Sequence, residues 1–431
     1  MIQGIKNLTS ENPIGQIWKY LRFFLDIPSV LETIRRIHNI PKGKFDSYVK
    51  KQARQIGYCI RQAEEYFQAS SQVGLATRPT LLYYGAVSLS RAVVLLRQDG
   101  THSFDALRKS NKHNHHGLDL IRGLAAVPRP ADGLEVFFNS LQCNCHTLKK
   151  PLKPSGTPKA SKENLSIETT RNAKCCEKNI PWGHFALFYR SLVPCAFQIP
   201  MEIHDHGKDT FIKRDHPQVC ANLLELDSLI SNPFDGLSIL KTLPDMYFAL
   251  KEFGIQPDLC RGSLKLKVVR YYKKDEQGNE QLEKKKEQHH FFIDGISPDQ
   301  KSHLLTFYKQ HNPLISVEAD LGANIHLRLT REYSPSDKTS SSYYPDIVDD
   351  INGHKFYILR PETYLPEPAA HLVLLYCLGM LSRYYPDIWM NVIDENIQIT
   401  ELTDSLLDIV YRKFPNLILD QMTWSKHYAH L

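Results

Sequence analysis

Apolar residues recur at steps of three and four over much of the first hundred positions, which is the spacing of one face of an α-helix. The pattern predicts helix over residues 14–40, with an interruption at Pro28, and a longer helix over 45–71. Residues 80–96 follow Pro79 and are apolar on nearly every side, which predicts a central buried helix. The helices predicted over 45–71 and 80–96 are adjacent in the sequence, so we expect them to form an antiparallel hairpin.

The apolar pattern changes to an alternating one between about residues 261 and 360, and alternation is typical of strands. A polar stretch, 273–288, is expected to be the loop of a long hairpin. Helical spacing returns after Pro368. The predicted elements are strands near 264–270, 290–293, 325–330 and 355–359, followed by helices over 371–384 and from 402 to near Pro415.

These elements predict an α+β fold that is mainly α. Each end of the chain is apolar and has too few partners of its own, so the N-terminal and C-terminal helices are expected to form one helical core, beside a small antiparallel β-containing middle lobe. The predicted units are an N-terminal helical unit 1–140, a basic Cys-containing loop or linker 141–180, a middle lobe 181–360 and C-terminal helices 361–431 that pack on the N-terminal unit.

The charge of the chain is mildly basic, with 53 Lys and Arg against 47 Asp and Glu in 431 residues. Such a balance permits an anionic partner without requiring one. Most of the excess lies in residues 141–180, which are also rich in Pro, Ser and Thr. This stretch, with Lys149, Lys150 and Lys153, is either a solvated loop or a surface that follows a nucleic-acid backbone.

Cysteine usage and the apolar runs bear on the compartment. Nine scattered cysteines are typical of a chain kept reduced, and residues 1–10 lack the apolar region of a secretory signal. The longest apolar run, 372–381, is about half the length of roughly twenty residues that a membrane span needs. We therefore expect a cytoplasmic protein that does not enter a membrane.

Several sequence blocks resemble those of a known family. They are Ala-Glu-Glu-Tyr-Phe at 63–67, Arg-Pro-Thr-Leu-Leu-Tyr-Tyr-Gly at 78–85, His-Gly-Leu at 116–118 and Leu-Ser-Arg-Tyr-Tyr-Pro-Asp-Ile-Trp at 381–389. In this order the blocks are similar to the YaaC-like family of bacterial proteins, over roughly residues 15–120 and 365–415. The resemblance supplies a family but no mechanism.

The first helical unit also resembles, more distantly, HEPN-type helical domains, which serve as ribonucleases or as binding modules in bacterial immunity. In those domains an arginine precedes a histidine by a few residues, and Arg108 with His113 or His115 fits this spacing. A metal-independent ribonuclease needs a base for the 2′-hydroxyl proton and a cation for the phosphate. The resemblance implies these roles for His113 and Arg108, although Lys109 stands where the pattern has a small polar residue. The alternative is a polar loop that enters a helix.

Two further groups are candidate contacts for a ligand or a nucleic acid. His115 and His116 precede Gly117, and this segment is either a turn that caps a helix or a ligand contact. Arg383 lies next to Tyr384, and an arginine among aromatic rings can hold a phosphate and stack on a base. The alternative for Arg383 is an ion pair with a carboxylate.

Two clusters have the residue types of metal sites. The first consists of Cys143, Cys145, His146, Cys175 and Cys176. It lacks the paired Cys-x2–4-Cys spacing of structural zinc sites, so free thiols in a loop are favoured. The second cluster, histidines and aspartates over 204–216, is typical of a solvated loop. We therefore predict no metal and no cofactor, and the lack of Walker A, GxGxxG, GxSxG and HExxH patterns disfavours the common enzyme classes that carry them.

Three functions stay open at this point. The leading hypothesis is a non-catalytic binding or scaffolding subunit of a complex, with a protein partner or a second copy of the chain, in bacterial antiviral defence. The second is a HEPN-like endoribonuclease acting through Arg108 and His113. The third is a module that binds RNA or DNA through residues 141–180 and Arg383. All three assume that the apolar ends pack together and bring segment 116–118 close to Arg383.

Overall fold

The structure is a computed structural model of the chain. It describes residues 4–8, 10–97, 103–109, 115–121, 133–151, 177–193, 197–205, 208–216, 232–274, 277, 280–311, 315–333, 347–359 and 364–429. The helices are α1 Pro13–Arg22, α2 Ile27–His38, α3 Asp46–Ser70, α4 Arg78–Arg97, α5 Phe104–Lys109, α6 Gly133–Ser140, α7 His184–Ser191, α8 Gly236–Lys241, α9 Tyr247–Glu252, α10 Pro298–His311, α11 Glu367–Tyr384, α12 Pro386–Glu395 and α13 Ile397–Thr423.

The strands form several sheets around these helices. They are β1 Gly4–Leu8, β2 Leu118–Leu120, β3 Gln142–Cys145, β4 Thr147–Pro151, β5 Glu177–Pro181, β6 Phe197–Asp205, β7 Lys208–His216, β8 Phe234–Asp235, β9 Leu259–Lys274, β10 Glu280–Ile293, β11 Ile315–Leu321, β12 Asn324–Tyr333, β13 Ile347–Asp349, β14 Lys355–Ile358 and β15 Ser425–Ala429. The largest sheet runs β11-β12-β10-β9-β14-β13, and β6 with its neighbour β7 joins it along β9. The predicted fold class, α+β and mainly α, is confirmed.

Helix α4 lies at the centre of the helical core, because it is apolar on nearly every side and must be covered on every side. It packs against α3 from its own half of the chain and against α11 and α13 from the other end. Gly379 lets α11 approach closely, since a Cβ there would lie 3.2 Å from the Cβ of Tyr83. By composition and length α4 could cross a membrane, but 78% of its apolar window is buried inside the protein. The N-terminal and C-terminal helices thus form one core, as predicted.

The two prolines at predicted helix boundaries behave differently. Pro28 occupies the first turn of α2, where its missing N–H costs nothing. The predicted helix end near Pro415 is wrong, because α13 continues through it to Thr423. Beyond the proline, Ile418 and Leu419 are fully buried. Burial of this second apolar stretch outweighs the cost of about 3 kcal/mol for an internal proline.

One face of the large sheet carries the alternating apolar residues of β9 and packs against α10. At the β14 end the opposite face is buried as well, where Phe356 and Ile358 pack in a second cluster with Tyr247 of α9. The predicted hairpin is confirmed, since β9 and β10 pair antiparallel. The predicted polar loop over 273–288 is wrong, because β9 runs to Lys274 and β10 begins at Glu280. Backbone hydrogen bonds continue the ladder past the last apolar side chains, and the hydrophobic pattern does not report such pairing.

A buried lysine joins the helical core to the sheet. Lys413 of α13 is only 4% exposed, and it contacts the carboxylates of Asp245 and, at 2.6 Å, of Glu367. Its Nζ also donates to the carbonyl of Asp349 in β13, at 2.8 Å. Burial raises the pKa of Glu367 to about 7, against the opposing charge of Lys413. His371 lies one turn after Glu367, is fully buried, and has a pKa lowered to about 3, chiefly by burial.

We predict that Lys413→Ala lowers the free energy of unfolding by about 3–5 kcal/mol, because it leaves two carboxylates buried without their cation. Urea titration measures the loss. Glu401→Ala, at an exposed position of the same helix, is the control and should change stability by less than about 0.5 kcal/mol. A loss in the lysine variant no larger than in the control would contradict the structural role of this contact.

We also predict a pH effect of His371. Its folded-state pKa lies below the ordinary 6.5, so at this position the unfolded chain binds a proton that the folded protein does not, and the contribution of His371 to stability falls as pH falls below about 6.5. Between about pH 7 and about pH 5 this costs roughly 2 kcal/mol. His371→Gln removes the titration, so the stability difference between wild type and variant should shift by that amount over the same range. Parallel stability profiles of the two proteins would refute this account.

Candidate functional site

Aromatic and basic residues from distant parts of the chain meet where α4 packs against α11. We call this group the tyrosine–arginine cluster; its members are Tyr66 of α3, Tyr83, Tyr84 and Arg91 of α4, His116 before β2, and Tyr376, Arg383 and Tyr384 of α11. Tyr83 and Tyr84 are consecutive on a helix, so their side chains point in different directions. Arg91 follows Tyr84 by two helical turns and therefore lies on a similar side of α4.

Tyr83 forms a hydrogen bond with His116, the histidine of the cluster. Its hydroxyl lies 2.7 Å from Nδ1 of His116, and the ring of Tyr376 contacts both side chains. Burial raises the pKa of Tyr83 well above its ordinary value, so its hydroxyl keeps its proton and can donate it to Nδ1. When the hydroxyl donates to Nδ1, Nε2 of the neutral His116 ring carries the hydrogen and is a donor, and when the hydroxyl accepts from Nδ1–H, Nε2 is an acceptor.

The turn that carries His116 is fixed by a close backbone contact. Gly117 has a φ of +83°, and a Cβ at this position would lie 2.8 Å from the backbone nitrogen of Phe185. That nitrogen, in the first turn of α7, donates to the carbonyl of His116 at 2.9 Å, and the nitrogen of His184 donates to His115 at 3.0 Å. The structural turn considered from the sequence is therefore present, and it positions the His116 ring.

Tyr84 faces the arginine of α11. The guanidinium of Arg383 donates to the Tyr84 hydroxyl and lies 5.7 Å from the Tyr84 ring and 4.9 Å from the ring of Tyr384. Tyr66 stacks on Tyr84, with ring centroids 6.0 Å apart. Arg383 is exposed, and within the described part of the chain it pairs with no carboxylate. The ion pair considered as the alternative from the sequence is thus not formed there.

Arg91 is a member of the cluster that the sequence analysis missed. Its Nε is buried, and among the described residues no acceptor is within hydrogen-bonding distance of it. Burial lowers the pKa of Arg91, and the nearby charge of Arg108 lowers it further, while Cys59 and Tyr83 act in the opposite direction. The sequence did contain a signal for this residue, because Arg91 is the only charged residue in the apolar stretch 80–96.

Positive charge surrounds His116. Its pKa is lowered, first by partial burial and then by the charges of Arg91, Arg383 and His115. A cation is therefore disfavoured at this position, and an anion would be favoured there. The cluster thus combines positive charge with aromatic rings.

The predicted catalytic pair is described only in part. Arg108 lies on α5 with 61% of its side chain exposed, 3.7 Å from the carboxylate of Asp105 and near the ring of Phe104. His113 lies outside the described residues, so catalysis by the pair stays a prediction. His115, the other histidine that fits the spacing, is exposed and stacks on His146 with centroids 5.2 Å apart.

Residues 141–180, which were predicted as a basic loop or linker, contain strands near both of their ends. Lys149 and Lys150 lie on β4, in register with Asn179 and Lys178 of β5. Residues 152–176, which include Lys153, are outside the described part of the chain. Contact of this stretch with a nucleic acid stays a prediction.

The two clusters considered for metals also lie on strands. Cys143 and Cys145 are buried thiols of β3, and Cys175 and Cys176 lie outside the described residues. The solvated loop predicted over 204–216 is wrong, because β6 and β7 pair across it, with His204 opposite Asp209. In the part of the chain that the structure describes, no three His, Cys, Asp or Glu side chains are close enough to hold a metal ion.

Comparison with known proteins gives the family. The family model described as YaaC-like Protein matches residues 27–122 and 212–422, well over half of the chain. This chain belongs to the YaaC-like protein family. The searches of curated proteins and of solved structures gave no match. The resemblance to the YaaC-like family is therefore confirmed, and the HEPN-like resemblance stays a prediction.

The matched segments of this YaaC-like chain contain every member of the tyrosine–arginine cluster. Residues 123–211, which include the basic stretch, lie outside the match. The cluster is thus built from the part of the chain that carries the family sequence.

We predict that Arg383→Gln raises the pKa of His116 towards its ordinary value, because one of the charges that disfavour the imidazolium is removed. An NMR titration of the His116 ring measures the change. His354, which pairs with Asp350 in a separate turn, serves as the internal reference and should titrate as in the wild type. An unchanged pKa of His116 would mean that the Arg383 charge does not reach it.

Proposed function

We propose that this YaaC-like protein is a non-catalytic binding protein that holds a phosphate-bearing ligand, a nucleotide or an RNA segment, on the tyrosine–arginine cluster. One observation carries the proposal. The charges of two guanidinium groups, those of Arg91 and Arg383, act on His116, and neither group pairs with a carboxylate of the described residues. Arg91 is half-buried, and a half-buried arginine without a counter-charge is costly, so the protein gains when an anion binds beside it and the exposed Arg383.

The chemistry of the cluster fits a phosphate with a base attached. Guanidinium groups bind phosphate oxygens in pairs of parallel hydrogen bonds. Nε2 of His116 adds a donor when the Tyr83 hydroxyl donates to Nδ1. Tyr384 is 58% exposed beside Arg383, and an exposed aromatic ring next to a guanidinium plane can stack on a nucleobase.

Within the cluster, binding is favoured because a general base needs a free lone pair, whereas Nδ1 of His116 is engaged by the Tyr83 hydroxyl. The histidine predicted as the base of a ribonuclease is His113, which lies outside the described residues, so cleavage by Arg108 and His113 is a separate alternative. The ribonuclease alternative keeps one supporting observation, since the charge of Arg108 acts on Arg91 and so belongs to the same basic region.

We further propose that the protein works in a complex, as the leading sequence hypothesis has it. The exposed apolar side chains near the cluster, Tyr385 and Met390, are each 39% exposed, and they offer a contact area next to the bound ligand. The proposal of a role in bacterial antiviral defence rests on the HEPN-like resemblance alone.

We predict that a fluorescein-labelled single-stranded RNA binds the full chain in EDTA, and that Arg91→Gln or Arg383→Gln weakens binding by about tenfold or more. Fluorescence anisotropy measures the affinity, and ATP as competitor tests whether a single nucleotide suffices. Arg54→Gln, at an exposed position of α3, is the matched control and should bind as the wild type does.

Three outcomes bear on the alternatives. Equal affinity of the cluster variants and the control would overturn the proposal. Shortening of the RNA in EDTA, lost in Arg108→Ala, would establish the ribonuclease instead. Affinity that follows total charge, with all three arginine variants weakened equally, would show non-specific contact.

A further inference from the structure

The face of the large sheet opposite α10 carries basic and aromatic residues. Successive side chains of a strand point to opposite faces, and Leu264 and Leu266 of β9 belong to the buried face. In β10, Phe291 is fully buried on that face, whereas Phe292 is 36% exposed on the other. We call the other side the open face of the sheet. Its central residues are Lys265 and Lys267 of β9, His290 and Phe292 of β10, and His326 and Arg328 of β12.

Three flat rings lie next to one another on the open face. Phe292 is directly opposite His326 on the neighbouring strand, and the two rings stack with centroids 4.3 Å apart and planes 15° apart. The ring of His290 is tilted by 16° from that of Phe292, and its Nδ1 lies 3.0 Å from Nε2 of His326. Stacking and this hydrogen bond keep the rings nearly parallel, so a further flat ring can extend the stack at the exposed Phe292.

Cations flank these rings on both neighbouring strands. Lys265 of β9 and Arg328 of β12 are the register partners of His290 on its two sides. The pKa of His290 is lowered, first by partial burial and then by the charges of His326, Arg328 and Lys265. The charge of Glu318 acts in the opposite direction. A further cation is therefore disfavoured beside the rings, and an anion would be favoured there.

The excess of positive charge extends along the open face. From Lys265 to Lys273 of β9, and on the paired parts of β10, β11 and β12, this face has more basic than acidic positions. The cations are Lys265, Lys267, Lys273, Lys284, Lys286 and Arg328, and the acids are Glu318 and Glu332. Glu318 pairs with Arg328 at 3.1 Å, and Glu202 of β6 is opposite Lys267. Lysine is depleted from the centres of protein interfaces, whereas surfaces that follow a phosphate backbone are rich in it.

Rings and cations follow one another over the length of several nucleotides. Phe292 is paired with Ser263 of β9, and Tyr271, which is 43% exposed, lies eight residues further along the same side of that strand. At about 3.3 Å per residue the two rings are roughly 25 Å apart, with Lys265 and Lys267 between them. A single strand can place bases on the rings and phosphates on the cations. A duplex cannot, because its bases are stacked on one another.

We propose that the open face of the sheet binds single-stranded nucleic acid. One base stacks on Phe292, and the phosphates on either side of it contact Lys265 and Lys267. The open face is separate from the tyrosine–arginine cluster, because its residues lie on β9, β10 and β12, whereas those of the cluster lie on helices and on the turn before β2. Binding of a single strand by the sheet is therefore independent of the function proposed above.

Fluorescence anisotropy on the full chain in EDTA tests the proposal with three fluorescein-labelled probes. They are an oligouridine, an oligothymidine of the same length and an RNA duplex, each about twelve nucleotides long. The measurement is made on the wild type and on the Arg91→Gln/Arg383→Gln double variant, in which the cluster has lost both guanidinium groups. We expect the single strands to bind both proteins, and the duplex to bind the double variant at least about tenfold more weakly than they do. The tighter of the two single strands identifies RNA or DNA as the ligand.

Substitutions on the open face locate the site. Phe292→Leu keeps an apolar side chain but removes the flat ring, so it should weaken the single strands by about fivefold or more. Lys267→Gln should weaken them too, and it should reduce the slope of log K against log salt by about 0.7, the value for one phosphate contact. Phe23→Leu, at a 61% exposed ring beside α1, and Lys50→Gln, at an exposed position of α3, are the matched controls and should bind as the parent protein does.

Three results would overturn the proposal. Full affinity of Phe292→Leu would exclude stacking on this ring. Equal loss in Lys267→Gln and Lys50→Gln would show attraction by total charge alone. Loss of all single-strand binding in the arginine double variant would place the binding at the cluster. Cluster variants that bind as the wild type does would instead refute the function proposed above and leave the test of the sheet intact. Circular dichroism and the unfolding midpoint establish that each variant is folded.

Discussion

The burial of α4 is the constraint on which the rest of the structure depends. A helix that is apolar on nearly every side has no face to give to water, so it must be enclosed. Its sequence neighbour α3 covers one side, and other sides are covered by α11 and α13, which begin 270 and 300 residues after the end of α4. The hydrophobic effect therefore closes the molecule on itself, and the segments between the two ends are accommodated around that core.

Two cations of the helical core, Lys413 and Arg91, have different surroundings. Lys413 contacts three acceptors, which are two carboxylates and a backbone carbonyl. This set of contacts joins the sheet to the helical core. Arg91 lies within the apolar part of α4 and has no such set of acceptors among the described residues. A charge that is fully paired is structural, whereas the lack of a counter-charge at Arg91 is the ground on which an external anion is proposed.

Much of the helical core was accessible from the sequence, since apolar spacing predicts α3, α4, α11 and the start of α13. The strands of the sheet could be predicted from the sequence only where apolar residues alternate, as in β9 at Leu264 and Leu266. The polar half of the β9–β10 hairpin and the paired strands β6 and β7 were not, because their pairing rests on backbone hydrogen bonds that every sequence can make. The continuation of α13 past Pro415 was missed because the sequence shows the cost of a proline inside a helix, whereas the burial that offsets this cost depends on residues from distant parts of the chain.

By itself, the sequence determined the family, the helical periodicity and the residue types of the candidate site, including the tyrosines and the arginine of the family blocks. Only the tertiary structure decided which of them meet. That Arg383 contacts Tyr84 follows from the packing of α4 against α11, and that Tyr83 reaches His116 follows from the position of the turn before β2 beside α4. The physical reason is that periodicity reports which face of an element is buried, whereas the partner that covers it is chosen by packing across the whole chain.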